Sequence, residues 1–201
     1  PGHKGHMPLL TPLADPALDL TELPGTGSLY DGGDVIEQAE QLAAAAFGAR
    51  ETLFSAGGCT LCIQTMLLLG AGAGGRVLMA RTAHRSAVHT AVLLGFEPVW
   101  LWPSQNEDGV LPPDADAVER ALAADPGIRA VYVTSPDYAG NLCDVPAFAA
   151  VCRRYGVPLL VDNAHGSHLS AFGLHPLALG ADLTADSAHK TLPVLTGGAM
   201  L

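Results

Sequence analysis

The 201-residue chain combines a large apolar fraction with a net negative charge, and together they exclude several classes of protein. Apolar residues make up 49% and charged residues 15% of the chain, which is too apolar for a disordered protein and enough to bury a core. The formal net charge is −10 with only ten Lys and Arg. We therefore expect no nucleic-acid partner, because phosphate binding needs clustered cations.

The sequence has neither a membrane-spanning run nor a signal-peptide pattern. No segment reaches the roughly 20 apolar residues that cross a bilayer, so we expect no membrane association. The four cysteines are sparse and lie in apolar segments, unlike a secreted disulfide framework. These features favour a cytoplasmic protein.

Helical and extended patterns alternate from Asp34 onward. The first predicted helix runs from Asp34, as its N-cap, to Gly48. The later predicted elements are, in order, strand Thr52–Ser55, helix Thr60–Leu69, strand Arg76–Ala80, helix His84–Leu94, strand Pro98–Leu101, a polar loop, helix Asp114–Ala124, strand Ala130–Thr134, helix Val145–Tyr155, strand Pro158–Val161 and strand Asp182–Ala185. Continuous apolar strands separated by helices predict an α/β fold, a three-layer α/β/α sandwich around a mostly parallel sheet.

Ligands of such sheets bind at the carboxyl ends of the strands, so residues that follow strands are candidates for chemistry. The turn Ala56–Thr60 is rich in glycine and opens a helix, which favours phosphate binding, although such a turn is more often only structural. His84 follows the second strand of this pattern and could stack on a planar cofactor, with a capping or surface histidine as the alternative. Residues Ser135–Gly140 follow a third strand.

Asp162 and Lys190 form the most informative pair. Asp162 ends an apolar strand, and Lys190 comes five residues after the predicted strand Asp182–Ala185. An amine for a Schiff base and a carboxylate that keeps a pyridine nitrogen protonated are what a pyridoxal phosphate enzyme requires. An aspartate there is often just a cap, and most lysines are solvated. However, the chain has only two lysines, Lys4 and Lys190.

Several motifs resemble the major domain of the bacterial Orn/Lys/Arg decarboxylases, which are pyridoxal phosphate enzymes of fold type I. They occur in the same order over nearly the whole chain: PGHKG, DLTEL, AAAAFGA, the Gly-rich turn, AHRS, TSPDYAGNLCD, VDNAHGSH and SAHKTLPVLTGGAML. The last two are the most specific.

The resemblance implies a role for each candidate. Lys190 would form the Schiff base, Asp162 would pair with the pyridine nitrogen, and His165 would lie near the ring hydroxyl or the substrate. His84 and Ala164 would pack on opposite faces of the ring. The phosphate would be held by a helix start and two residues near the lysine: Gly58, Cys59, Thr60, Ser187 and His189.

The implied activity is decarboxylation of lysine, ornithine or arginine to the amine and carbon dioxide, as in polyamine metabolism. We expect residues 1–33, an irregular segment, to form an arm on a partner subunit of a homo-oligomer, a dimer or larger. Residues 34–201 would form the cofactor-binding major domain, truncated after the lysine and lacking a small C-terminal domain.

Three alternatives remain open. Cys59-x-x-Cys62 and His165-x-x-His168 offer four ligands for zinc, although this spacing constrains geometry loosely and no metal is expected. A different pyridoxal phosphate reaction, aminotransfer or β-elimination, would share the same first steps, and fold does not decide which bond breaks. A non-catalytic relative would keep the fold without turnover.

Overall fold

The computed structural model of the chain describes residues 15, 18, 20–23, 25–30, 35–106 and 109–201. The PGHKG motif and the Asp34 cap lie outside these residues, as does most of the arm expected over residues 1–33. The division into an arm and a domain from residue 34 therefore stays a prediction.

The described residues form alternating helices and strands. The helices are α1 Val35–Phe47, α2 Gly58–Ala71, α3 Arg85–Leu94, α4 Ala115–Ala124, α5 Val145–Tyr155 and α6 Ala188–Thr191, with a 3-10 helix at Ser167–Phe172. The strands are β1 Phe54–Ser55, β2 Arg76–Ala80, β3 Glu97–Leu101, β4 Ser104–Asn106, β5 Gly109–Leu111, β6 Ile128–Thr134, β7 Leu159–Asp162, β8 Leu183–Ala185 and β9 Ala199–Met200. No described helix has the length and apolarity needed to cross a bilayer.

Local sequence signals explain where α5 begins and ends. Asp144 accepts a hydrogen bond from the backbone N–H of Ala147, which caps the helix, and Pro146 lies in the first turn, where its missing N–H costs nothing. Gly156 ends the helix at φ 68°, a left-handed conformation that glycine adopts without strain. The predicted bounds of this helix, and those of β2, agree with the structure.

Five parallel strands form the main sheet in the order β3-β2-β6-β7-β8. An antiparallel bridge between Asp186 and Met200 joins β8 to β9, and β9 pairs antiparallel with β1. The carboxyl ends of β2, β6, β7 and β8 thus lie at one edge. The predicted α/β class with a mostly parallel sheet is confirmed.

Helices cover both faces of the sheet, as the apolar strands require. Alternate residues of β6 point to opposite faces, so that Val131 packs with α4 and α5 and Tyr132 packs with α2 and α3. Both residues are fully buried. The three-layer α/β/α architecture follows from this arrangement.

The structure departs from the prediction mainly in short elements. Residues predicted as a polar loop after β3 contain the hairpin of β4 and β5. Strand β9 is only two residues long and pairs with β1 from the far end of the chain, so no local pattern marks it. Helix α2 begins at Gly58, earlier than the predicted Thr60, because the glycine turn itself enters the helix.

Candidate active site

A cavity of about 270 Å³ lies at the carboxyl edge of the sheet. All ten candidate residues from the sequence line it: Gly58, Cys59, Thr60, His84, Asp162, Ala164, His165, Ser187, His189 and Lys190. Four further residues complete the lining: Ile63, Ser86, Thr134 and Tyr138. Parallel strands that end at one edge bring these distant segments together.

Asp162 lies at the bottom of the cavity and is only 1% exposed. Its Oδ2 accepts a hydrogen bond from the Tyr132 hydroxyl at 2.9 Å, and its Oδ1 accepts one from the Ala164 N–H at 3.1 Å. Burial raises the pKa of the carboxyl, while these hydrogen bonds and the nearby His84 and Lys190 act in the opposite direction. A buried carboxylate of this kind suits a cationic partner in the cavity.

Lys190 and His165 form the opposite side of the cavity. The Lys190 Nζ lies 3.2 Å from His165 Nε2, and His165 Nδ1 lies 3.3 Å from the Pro136 carbonyl oxygen. A carbonyl oxygen can only accept, so the neutral imidazole carries its proton on Nδ1. Nε2 is then an acceptor for the lysine ammonium group. The contact between Lys190 Nζ and His165 Nε2 is the path along which a proton can move between the two side chains.

His84 caps a helix and also lines the cavity, so its place fits both of the interpretations that the sequence left open. Its Nδ1 accepts a hydrogen bond from the Ser86 N–H at 3.3 Å and so caps α3, while the ring lines the cavity. Burial is the main cause that lowers the pKa of His84. A neutral ring fixed by the helix start can therefore stack on a planar ligand.

The other end of the cavity has the character of an anion site. Helix α2 begins there with Gly57 as a cap that makes no side-chain hydrogen bond, which leaves the first N–H groups free of a side-chain partner. Ser187 Oγ is buried without a hydrogen-bond partner in the described part of the chain. Ligand oxygens would satisfy these groups, so the residues present fit a phosphorylated cofactor.

His189 supports this end of the cavity from the side. Its Nδ1 lies 3.2 Å from the Gly198 carbonyl oxygen and 3.3 Å from the Gly197 nitrogen. These contacts tie α6 to the loop before β9. The backbone around Ser187 and Lys190 is thereby held in place.

The alternative zinc site is not assembled. Among the described residues, no group of three or more His, Cys, Asp or Glu side chains is arranged to hold a metal ion. Cys62 lies on the buried side of α2 and is 2% exposed, whereas His168 is exposed. Burial raises the pKa of the Cys59 thiol, so it is not a ready thiolate ligand.

Sequence reasoning gave no role to Tyr132, Thr134 or Tyr138. Tyr138 follows β6, is 69% exposed, and lies edge-on to the His165 ring with 4.9 Å between ring centroids. Asp137 holds its loop, since Oδ1 accepts from the N–H groups of Ala139 and Asn141. The position of Tyr138 after a strand was the available signal, whereas Tyr132 looked like an ordinary core residue.

Comparisons with known proteins agree with this geometry. The chain is 35% identical over 199 residues to "Uncharacterized protein YaaO" of Bacillus subtilis (strain 168), covering 96% of this chain and 40% of that protein. It is 34% identical to "Arginine decarboxylase" of Halalkalibacterium halodurans, covering 92% of this chain and 39% of that protein. The chain thus spans about 40% of the length of these curated relatives.

Solved structures and a family description complete the comparison. The lysine decarboxylase LdcF of Francisella novicida has a TM-score of 0.79 and 20% identity, covering all of this chain and 32% of that one, which shows a shared fold. The family description "Orn/Lys/Arg decarboxylase, major domain" matches residues 15–201. With the same motifs gathered around one cavity, the chain belongs to the Orn/Lys/Arg decarboxylase family.

Proposed function

We propose that this chain is the cofactor-binding part of a pyridoxal phosphate-dependent decarboxylase acting on arginine, lysine or ornithine. The observation that carries the proposal is the cavity in which Lys190, Asp162, His84 and the start of α2 meet. Bound pyridoxal phosphate supplies an electron sink for the carbanion left by loss of carbon dioxide. The remaining work of the site falls to side chains of this chain.

Each side chain has a task that its surroundings support. Lys190 holds the cofactor covalently through its amine, and Asp162 keeps the ring nitrogen protonated. His84 and Ala164 restrain the two faces of the ring. The α2 start with Ser187 and His189 holds the phosphate by hydrogen bonds and by the helix dipole.

His165 accepts a hydrogen bond from Lys190 Nζ at Nε2, because its other ring nitrogen donates to Pro136. This contact orients the Lys190 amine toward the cavity. The Tyr138 ring packs edge-on against His165 and helps to hold that ring in place. Orientation is thus the contribution of this part of the chain.

Arginine is the first substrate to test, because a curated relative at 34% identity is named an arginine decarboxylase. The reaction class rests on family membership, since aminotransfer and β-elimination would use the same cavity.

A cytoplasmic homo-oligomer is part of the proposal. The oligomer is supported by adjacent large apolar side chains on the surface of α3, Val92 (83% exposed) and Leu93 (65% exposed).

The proposal is tested with the protein expressed from its complete coding sequence. We expect pyridoxal phosphate to give a visible absorbance band and, after borohydride reduction, a label that peptide mapping places on Lys190. The variant Lys190→Ala should lose the label, and its turnover should fall at least about 1,000-fold, because Lys190 is the one lysine of the described residues and it lines the cavity. Carbon dioxide release from arginine, lysine and ornithine then identifies the substrate.

Lys4→Ala is the matched control, since Lys4 is the other lysine of the chain. It should keep both the band and the label on Lys190. A label that stays in Lys190→Ala, or a folded protein without a band, would overturn the cofactor assignment. A band without carbon dioxide release from the three amino acids would point to a different pyridoxal phosphate reaction.

A further inference from the structure

Tyr132 contacts the cavity only through Asp162, from the side of the core. The tyrosine is fully buried on β6, and its hydroxyl donates to Asp162 Oδ2 at 2.9 Å. Its ring packs in the cluster beneath α2, and it does not line the cavity. The hydroxyl oxygen is the one polar atom of this side chain, and it makes its hydrogen bond to the carboxylate at the base of the site.

The sheet register explains why this contact forms. Tyr132 lies opposite Leu160, and Thr134 lies opposite Asp162 on the neighbouring parallel strand. Side chains two residues apart share a face of the sheet, so Tyr132 and Asp162 are diagonal neighbours on the α2 face. A tyrosine is long enough to reach that carboxylate from below.

The two hydrogen bonds of Asp162 fix the orientation of its carboxylate. The Ala164 N–H holds Oδ1, and the Tyr132 hydroxyl holds Oδ2. Both donors favour the ionised form, which burial opposes. Phenylalanine in place of Tyr132 would keep the apolar packing and remove one of these donors.

We propose that Tyr132 is a positioning residue that keeps Asp162 ionised and aimed into the cavity, and so sets the strength of the pairing with a protonated pyridine nitrogen. The pairing itself rests on the proposed function. The hydrogen bond between Tyr132 and Asp162 does not, because it is present in the chain alone. The two ideas can therefore fail separately.

The first measurement needs no cofactor. In the cofactor-free protein expressed from its complete coding sequence, infrared difference spectra follow the protonated carboxyl band against pH, and Asp162→Asn identifies the band of Asp162. In Tyr132→Phe we expect that carboxyl to titrate at a pH higher by about 1 unit or more, because a hydrogen bond to the charged form is lost. Tyr155→Phe, on the opposite side of the sheet, should titrate as the original protein does.

The second measurement uses pyridoxal phosphate. We expect Tyr132→Phe to raise the Kd for pyridoxal phosphate about tenfold at low pH. The difference in Kd between the variant and the original protein should become smaller as the pH rises above the new pKa of Asp162. A merely structural change would weaken binding by the same factor at every pH. If the original protein does not bind pyridoxal phosphate, the proposed function fails while the infrared test still decides the role of Tyr132.

A second variant should shift the Asp162 titration in the opposite direction, which a misfolded protein would not do. Site-specific 3-fluorotyrosine at position 132 makes the phenol a stronger donor and should move the Asp162 titration to lower pH. Opposite shifts in Tyr132→Phe and the fluorinated protein support the proposal. An Asp162 titration that stays the same in the fluorinated protein, or in folded Tyr132→Phe, overturns it.

Discussion

Asp162 and Asp186 are two carboxylates at the ends of neighbouring strands, and their surroundings give them different tasks. Asp162 ends β7 and is 1% exposed, and Asp186 directly follows β8 and is 3% exposed. Asp162 lines the 270 Å³ cavity, whereas Asp186 does not. Position after a strand is therefore not enough to identify a functional acid.

The partners of the two carboxylates make the difference. Asp186 Oδ1 accepts from Asn163 Nδ2 at 2.6 Å, and His175 Nε2 lies 3.2 Å from the same oxygen. His175 Nδ1 accepts from the Leu177 N–H, so Nε2 carries the proton and donates to Asp186. Two buried side chains thus lock Asp186 into the fold, while Asp162 has backbone and phenol donors and a free side toward the cavity.

Removal of the Asp186 side chain should have the largest effect among the tests of this contrast. Asp186→Ala should lower the free energy of unfolding by about 3 kcal/mol, because buried donors of His175 and Asn163 lose their acceptor. Urea unfolding of the complete protein measures it. Asp116→Ala, on the exposed face of α4, should cost less than about 1 kcal/mol. Equal losses in the two variants would show that the Asp186 cluster is not structural.

Asp162→Asn should instead damage cofactor binding. We expect its Kd for pyridoxal phosphate to rise about 100-fold, because a neutral amide cannot pair with a protonated ring nitrogen. Titration of the absorbance band measures the Kd. Asp182→Asn is the control, since Asp182 Oδ2 accepts a hydrogen bond from the Leu159 N–H and does not line the cavity. A Kd within threefold of the original would contradict the assigned role of Asp162.

The same Asp162→Asn change should stabilise the cofactor-free protein at neutral pH, because the amide replaces a carboxylate that burial disfavours. Burial raises the pKa of the Asp162 carboxyl above its ordinary value of 3.8, so its ionisation costs folding energy as the pH rises through the raised value. The gain should therefore vanish below about pH 3.8. Thermal unfolding at pH 3.5 and at pH 8 checks both limits, and a gain that is independent of pH would exclude this cause.

Sequence alone predicts the fold well where strands are long and apolar. The bounds of β2 and α5 follow from an apolar run and from paired Asp and Gly signals. Strands of two residues such as β1 and β9 give almost no periodicity, and their pairing is decided by contacts across the chain. The hairpin of β4 and β5 was missed because its residue types are typical of a loop.

The candidate site was predictable to the extent that its residues follow strands. Asp162, His84 and Lys190 do so, and the structure places them around one cavity, although their roles stay proposals. Tyr132 sits inside an apolar run, and only the register between β6 and β7 brings its hydroxyl to Asp162. Such a contact between strands leaves no mark in either segment by itself.

The pairing of β1 with β9 has a consequence for synthesis on the ribosome. Phe54 pairs with Met200, and the segment between them takes on the order of 10 s to translate. Until Met200 emerges, β1 has no partner strand, and the start of α2 that follows it lacks the loop at Gly197 and Gly198. The cavity around Lys190 therefore cannot close early on a nascent chain, and any ligand of this cavity has to bind after β9 has emerged.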